Sequence, residues 1–150
     1  MNGINDQMGL FNNQKEPIFN QPEDMSPLES VTHLFAAIQL VDQDASYEER
    51  VSWSRSIAEL FPEFSMDRAE NFLNEAYQVL SKQGSSERSE YLLRLLDRIN
   101  VLLSPEQINS MGPKIAELIE ADGIVMTSEM EIAKLIETRL KINISIDEDI

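Results

Sequence analysis

An all-α fold, a compact bundle of six to seven short helices with an internal duplicated helix–acidic turn–helix unit, is what three observations predict. Apolar residues recur at three- and four-residue steps through the middle of the chain. Ser-led capping boxes precede several of these runs, at Ser26-Pro27-Leu28-Glu29, Ser46-Tyr47-Glu48-Glu49 and Ser104-Pro105-Glu106-Gln107. No alternating segment has a second strand with which to pair.

The first helix should open at Ser26, with Pro27 at a position that needs no N–H and Glu29 closing the box. Leu28, Val31, Leu34, Phe35, Ile38 and Val41 then form the apolar face of an amphipathic helix. Asp42-Gln43-Asp44-Ala45 interrupts it. Ser46 caps a second helix bearing Val51, Trp53, Ile57, Leu60 and Phe61, which ends near Pro62. Ser65 caps a third, with Met66, Ala69, Phe72, Leu73, Ala76, Tyr77 and Leu80, and Gly84 is suited to the left-handed turn after it. Ser85 and Ser86 offer caps for a fourth, whose face is Tyr91, Leu92, Leu95, Leu96, Ile99, Leu102 and Leu103. Ser104 opens a segment that Gly112-Pro113 should break into a short and a longer piece. A last helix carries Ile132, Leu135, Ile136 and Leu140.

At 150 residues the chain suffices for one domain, placed at 26–142. Residues 1–25 are rich in Asn, Gln, Asp, Glu and Pro, with only Leu10, Phe11, Ile18 and Phe19 to bury, and read as a disordered tail. Residues 143–150 read as a second disordered acidic tail. Twelve Lys and Arg against 27 Asp and Glu leave a net charge of −15, which opposes a nucleic-acid partner and favours a protein partner with a basic surface. Arg88, Arg94 and Arg98 make the best basic set, but Glu87, Glu90 and Asp97 lie among them, as on a solvated, salt-paired face. Without cysteine there is no disulfide framework, thiolate nucleophile or cysteine-rich zinc site. No secretory signal and no apolar run of roughly 18–20 residues is visible, so a soluble, cytoplasmic protein that is not an integral membrane protein is expected.

The two junctions where a helix breaks at an Asp are alike. LVDQDASYEERVSWSRSIAELF and IEADGIVMTSEMEIAKLIETRL each pair an apolar helix end and an Asp (Asp42, Asp122) with a Glu seven residues on (Glu49, Glu129), followed by a new apolar helix. They lie 80 residues apart. The second, KIAELIEADGIVMTSEMEIAKLI, resembles the TerB-like group of tellurite-resistance-associated bacterial domains, with Asp122, Gly123 and Glu129 on the pattern. The first departs from it at Gln43, where Gly is usual, and the second at Met126, which leaves capping to Thr127 or Ser128. The resemblance spans about residues 27–142. It implies a helical cytoplasmic domain without an established catalytic role, working in stress-response or membrane-associated protein assemblies, with acidic sites for a divalent metal. Related domains also front membrane-anchored co-chaperones; neither that anchor nor a J-domain is present in this sequence.

Taken on their own chemistry, Asp42, Asp44 and Glu49, and Asp122 and Glu129, are hard oxygen ligands suited to Ca²⁺ or Mg²⁺. They also suit a role confined to helix ends, because Glu49 can close a capping box, acids favour a helix N-terminus and Gly123 permits a left-handed turn. The spacing is not that of an EF-hand. His33, the single histidine, lies beside the first helix's apolar face as a partly buried, hydrogen-bonded imidazole, and Trp53 packs with Ile57 and Phe61. No nucleophile elbow, P-loop or dinucleotide fingerprint occurs, so a non-enzymatic interaction domain is expected, with a metal-independent acidic adaptor or assembly subunit as the alternative.

Overall fold

The computed structural model describes residues 19–42 and 46–146. Among them are six α-helices and no strand: α1 (Pro27–Gln39), α2 (Tyr47–Leu60), α3 (Met66–Ser81), α4 (Ser85–Leu102), α5 (Pro105–Glu120) and α6 (Thr127–Leu140). Short 3-10 turns lie at Pro22–Asp24 and Leu40–Asp42. No described helix is long and apolar enough to cross a membrane.

The bundle is organised around α1, which packs against α2, α3, α4 and α5. Eleven of its thirteen residues are buried. An amphipathic helix with one solvent face was expected; instead the neighbours close over every side, and Ser30, Thr32, His33 and Gln39 go inside with Leu34, Phe35 and Ile38. The other helices contribute the apolar stripes their periodicity indicates, including Leu73, Ala76 and Leu80 from α3 and Leu95, Leu96 and Ile99 from α4, except that Val51 at the start of α2 stands exposed rather than in the core.

Helix starts at Ser26, Ser46 and Ser104 are full capping boxes. Ser46 Oγ accepts the Glu49 N–H at 3.0 Å while Glu49 Oε1 accepts the Ser46 N–H at 3.0 Å. Elsewhere the ends differ from expectation. Gly84 takes no left-handed turn; at φ −77° it is the N-cap of α4, its N–H donated to Glu87 Oε1 at 2.9 Å, so Ser85 and Ser86 lie inside the helix. Met126 holds the N-cap position of α6 and neither Thr127 nor Ser128 caps it; Glu129 Oε1 accepts the Met126 N–H at 2.9 Å.

Helix α5 runs unbroken through Gly112-Pro113. Pro113 deprives only the carbonyl of Asn109, an exposed residue, which water can serve. Gly112 has a different use: a Cβ there would meet the Asn143 carbonyl oxygen at 2.3 Å. The residues after α6 come back over α5 at this notch. Lys141 turns left-handed (φ 59°), Ile144 donates its N–H to Glu137 Oε2 at 2.6 Å, and its side chain is buried. Residues 143–146 are thus docked rather than a free tail, with every other side chain, Ile142, Ile144 and Ile146, on the core; residues 147–150 lie outside the described residues.

Residues 19–25, expected in the first tail, are likewise held by the fold. Met25 is fully buried, and α4 arginines hold the segment before it: Arg98 Nε donates to the Met25 carbonyl at 3.0 Å and Arg94 Nε to Glu23 Oε2 at 2.8 Å. Arg88 donates to the Leu80 carbonyl at 2.9 Å, so all three arginines of the presumed solvated face have partners within the fold. Leu10, Phe11 and Ile18 lie outside the described residues.

Gly112→Ala should destabilise the protein by about 1–3 kcal/mol through the clash with Asn143. In a chain ended at Lys141 the same change should be neutral or gain up to about 1 kcal/mol of helix propensity; urea denaturation of the four proteins checks both. The Arg94 guanidinium holds the exposed Glu23 carboxyl down at about 2 against an ordinary 4.5. Because the folded value is the lower, the contact's contribution is complete above the ordinary carboxylate range and fades as pH falls toward 2, and solvent screening keeps it small. A ¹³C-carboxyl titration should place Glu23 near 2, and Arg94→Gln should return it toward 4.5.

Candidate functional site

The acidic junctions are built as helix ends. Glu49 and Glu129 occupy the third position of α2 and α6, are both fully buried, and each accepts the N–H of its N-cap residue. Asp122 Oδ1 accepts the Ile124 N–H at 3.0 Å, and Gly123 takes the expected left-handed conformation (φ 80°). The two junctions therefore share a buried Glu that closes on its N-cap N–H, and differ in that Ser46 Oγ caps α2 whereas Met126 offers α6 no side-chain cap. Asp42 ends the 3-10 turn that follows α1, which contacts α6; its side chain and Asp44 lie outside the described residues.

A different group comes together in the interior. Glu29 and His33, four residues apart on α1, face Glu75 of α3, and one ligand atom from each lies within 4.8 Å of the others. The geometry can hold a metal ion. Glu29 is 4% exposed and His33 1%, while Glu75 is half-buried. The i,i+4 spacing puts the first two on one face of α1, and the contact between α1 and α3 supplies the third.

Neighbouring groups hold this cluster in place. Asn20 Nδ2 donates to both Glu29 oxygens at 3.2 Å, and Glu29 Oε1 also accepts the Ser26 N–H at 3.4 Å. His33 Nδ1 lies 2.8 Å from Tyr91 Oη on α4, whereas Nε2 has no hydrogen-bond partner among the described residues. Burial lowers the His33 pKa to about 4, so the ring is neutral near pH 7. Burial and the Glu29 charge both raise Glu75, and burial followed by the same charge raises the Tyr91 phenol. Two carboxylates and a neutral imidazole thus share one poorly solvated place. Asn20 and Tyr91, the partners of Glu29 and His33, also line a surface groove with Gln21, Gln83, Glu90 and Arg94.

The sequence marks His33 as a hydrogen-bonded interior imidazole and Glu29 as a capping residue, and the structure brings both together with Glu75. The Glu29/His33 spacing is visible in the sequence, but Glu75 is 42 positions beyond His33. Trp53 is 2% exposed and belongs to the core, as expected.

No protein-family model, no curated protein and no solved structure matches this chain.

Proposed function

We propose that this chain is a TerB-like, non-enzymatic interaction domain that engages a protein partner carrying a basic, partly apolar surface. One observation carries the reading: apolar side chains stand exposed beside the junctions, among acids. At the start of α2, Tyr47 is 78% and Val51 37% exposed, and they border a groove shared with Glu48, Arg55, Glu117 of α5 and Ala121 at the end of that helix. Just beyond α5, Ile124 and Met126 are exposed as well. Exposed aromatic and aliphatic groups provide contact area, and the net charge of −15 provides steering toward a cation.

Two versions of this reading differ in their dependence on metal. In the ion-modulated one, Ca²⁺ or Mg²⁺ at Asp42, Asp44 and Glu49, or at Asp122 and Glu129, neutralises carboxylates and sets the angle between helices. In the metal-independent one the domain is an acidic adaptor or assembly subunit, a version favoured by the engagement of Glu49 and Glu129 with backbone N–H groups. Cytoplasmic work in a stress-response or membrane-associated assembly agrees with either.

A photo-crosslinking residue at position 47 should capture a discrete partner in cells and lose it at raised salt. The same residue at Val101, an exposed apolar position on α4, should not. Equal capture at both positions would refute the surface. Tyr47→Ser with Val51→Ser should abolish the contact and leave the melting temperature within a few degrees, since exposed side chains contribute little to folding.

A further inference from the structure

We propose that Glu29, His33 and Glu75 form a binding site for a divalent transition-metal ion of the zinc class, pinning α3 to α1, with Tyr91 as a positioning residue for the imidazole. This site is distinct from the acidic junctions and does not depend on the partner-binding reading.

Charge makes the first argument. Among the described residues no Lys or Arg forms an ion pair with Glu29 or Glu75; Arg94, on the neighbouring helix, is engaged with Glu23. Two carboxylates brought together in a place mostly shielded from water need a counter-charge, and a divalent ion supplies it in a single step. Donor chemistry makes the second. One ring nitrogen beside two carboxylate oxygens is a borderline set, which favours Zn²⁺ and leaves Ca²⁺ and Mg²⁺, ions of all-oxygen sites, at a disadvantage. Three protein ligands also leave a coordination position for water.

The surroundings agree with ligation. A buried His33 has one nitrogen engaged by Tyr91 Oη at 2.8 Å and the other without a partner among the described residues. An outer hydrogen bond on one nitrogen is what fixes the tautomer of a metal-binding imidazole. Asn20 holds both Glu29 oxygens, and half-buried Glu75 keeps the cluster in reach of solvent. The 4.8 Å spread exceeds the roughly 3.3 Å between ligands of a tetrahedral zinc with bonds of about 2.0–2.1 Å. Ligation therefore requires the three groups to draw together, with Glu75 the least buried of them.

The experiment exploits the fact that the chain has one histidine. Tag-free full-length protein, stripped with chelator and titrated with Zn²⁺, is followed by the ¹H and ¹⁵N resonances of the His33 ring and by melting temperature. At one equivalent the ring should give a new set of signals, with a ¹⁵N shift at the ligating nitrogen, and the melting temperature should rise with Zn²⁺. Glu75→Gln, close in size and still able to pack, should weaken binding at least tenfold. Tyr91→Phe should weaken it about tenfold and change the tautomer balance in the ¹⁵N spectrum, which a purely structural role would not do. Ring signals unmoved by excess Zn²⁺ would overturn the proposal, leaving a proton shared within the cluster to balance charge. Binding that Glu75→Gln leaves unchanged would overturn it too, assigning the ion to surface carboxylates. Neither result touches the Tyr47 surface, so the two readings fail separately.

Discussion

Helix α1 has no outside. Surrounding a helix on every side is the largest single saving of apolar surface available to a small helical domain, and it imposes a strict condition: whatever polar groups that helix carries must be satisfied by its neighbours. The surrounding helices meet it in part, and Thr32 Oγ1 and His33 Nε2 keep no hydrogen-bond partner among the described residues. Ser30 Oγ turns back on its own helix to the Pro27 carbonyl, whereas His33 meets Tyr91 of α4, and Gln39 accepts from Tyr77 of α3 while donating to the Glu49 carbonyl of α2. These contacts fix rotation and register in a way that interchangeable apolar side chains do not. The capping glutamate of α1, Glu29, is drawn into the interior by the same enclosure, and that is why a carboxylate meets an imidazole there at all.

Much of the helical outline is legible because it is local. A capping box needs four consecutive residues, and the boxes at Ser26, Ser46 and Ser104 form as read. The failures occur where a distant segment decides. Gly112-Pro113 looks like a break until Asn143 is seen to lie against the glycine, so a residue 31 positions away supplies the reason for it. The boundary at residue 25 fails because Arg94 and Arg98 sit on a helix some seventy residues downstream. Complete burial of α1 left a faint local trace, since Glu29 is its only carboxylate and no Lys or Arg occurs within it. Periodicity analysis looks for a face and is insensitive to a helix that has none.

The interior cluster shows the same division. Acidic turns draw attention because their carboxylates are adjacent in sequence, yet adjacency at a helix start is also what capping requires, and Glu49 and Glu129 do that work. Glu29, His33 and Glu75 form no recognisable string. Two of them share a helix face by spacing, but the third is supplied only by the packing of α3 on α1. A single histidine is weak evidence for metal chemistry in a sequence, whereas one enclosed between two carboxylates is a specific arrangement.

The segment that returns over α5 has a mechanical consequence. Its attachment includes buried Ile144 with Ile142 and Ile146 packed partly buried beside it, the hydrogen bond from Ile144 to Glu137 and the seat of Asn143 on Gly112. Tension applied to the chain beyond Ile146 meets these contacts in sequence rather than together, as tape is peeled from a surface. A pull from that side therefore loads the contacts of this strap before those of the helices around α1.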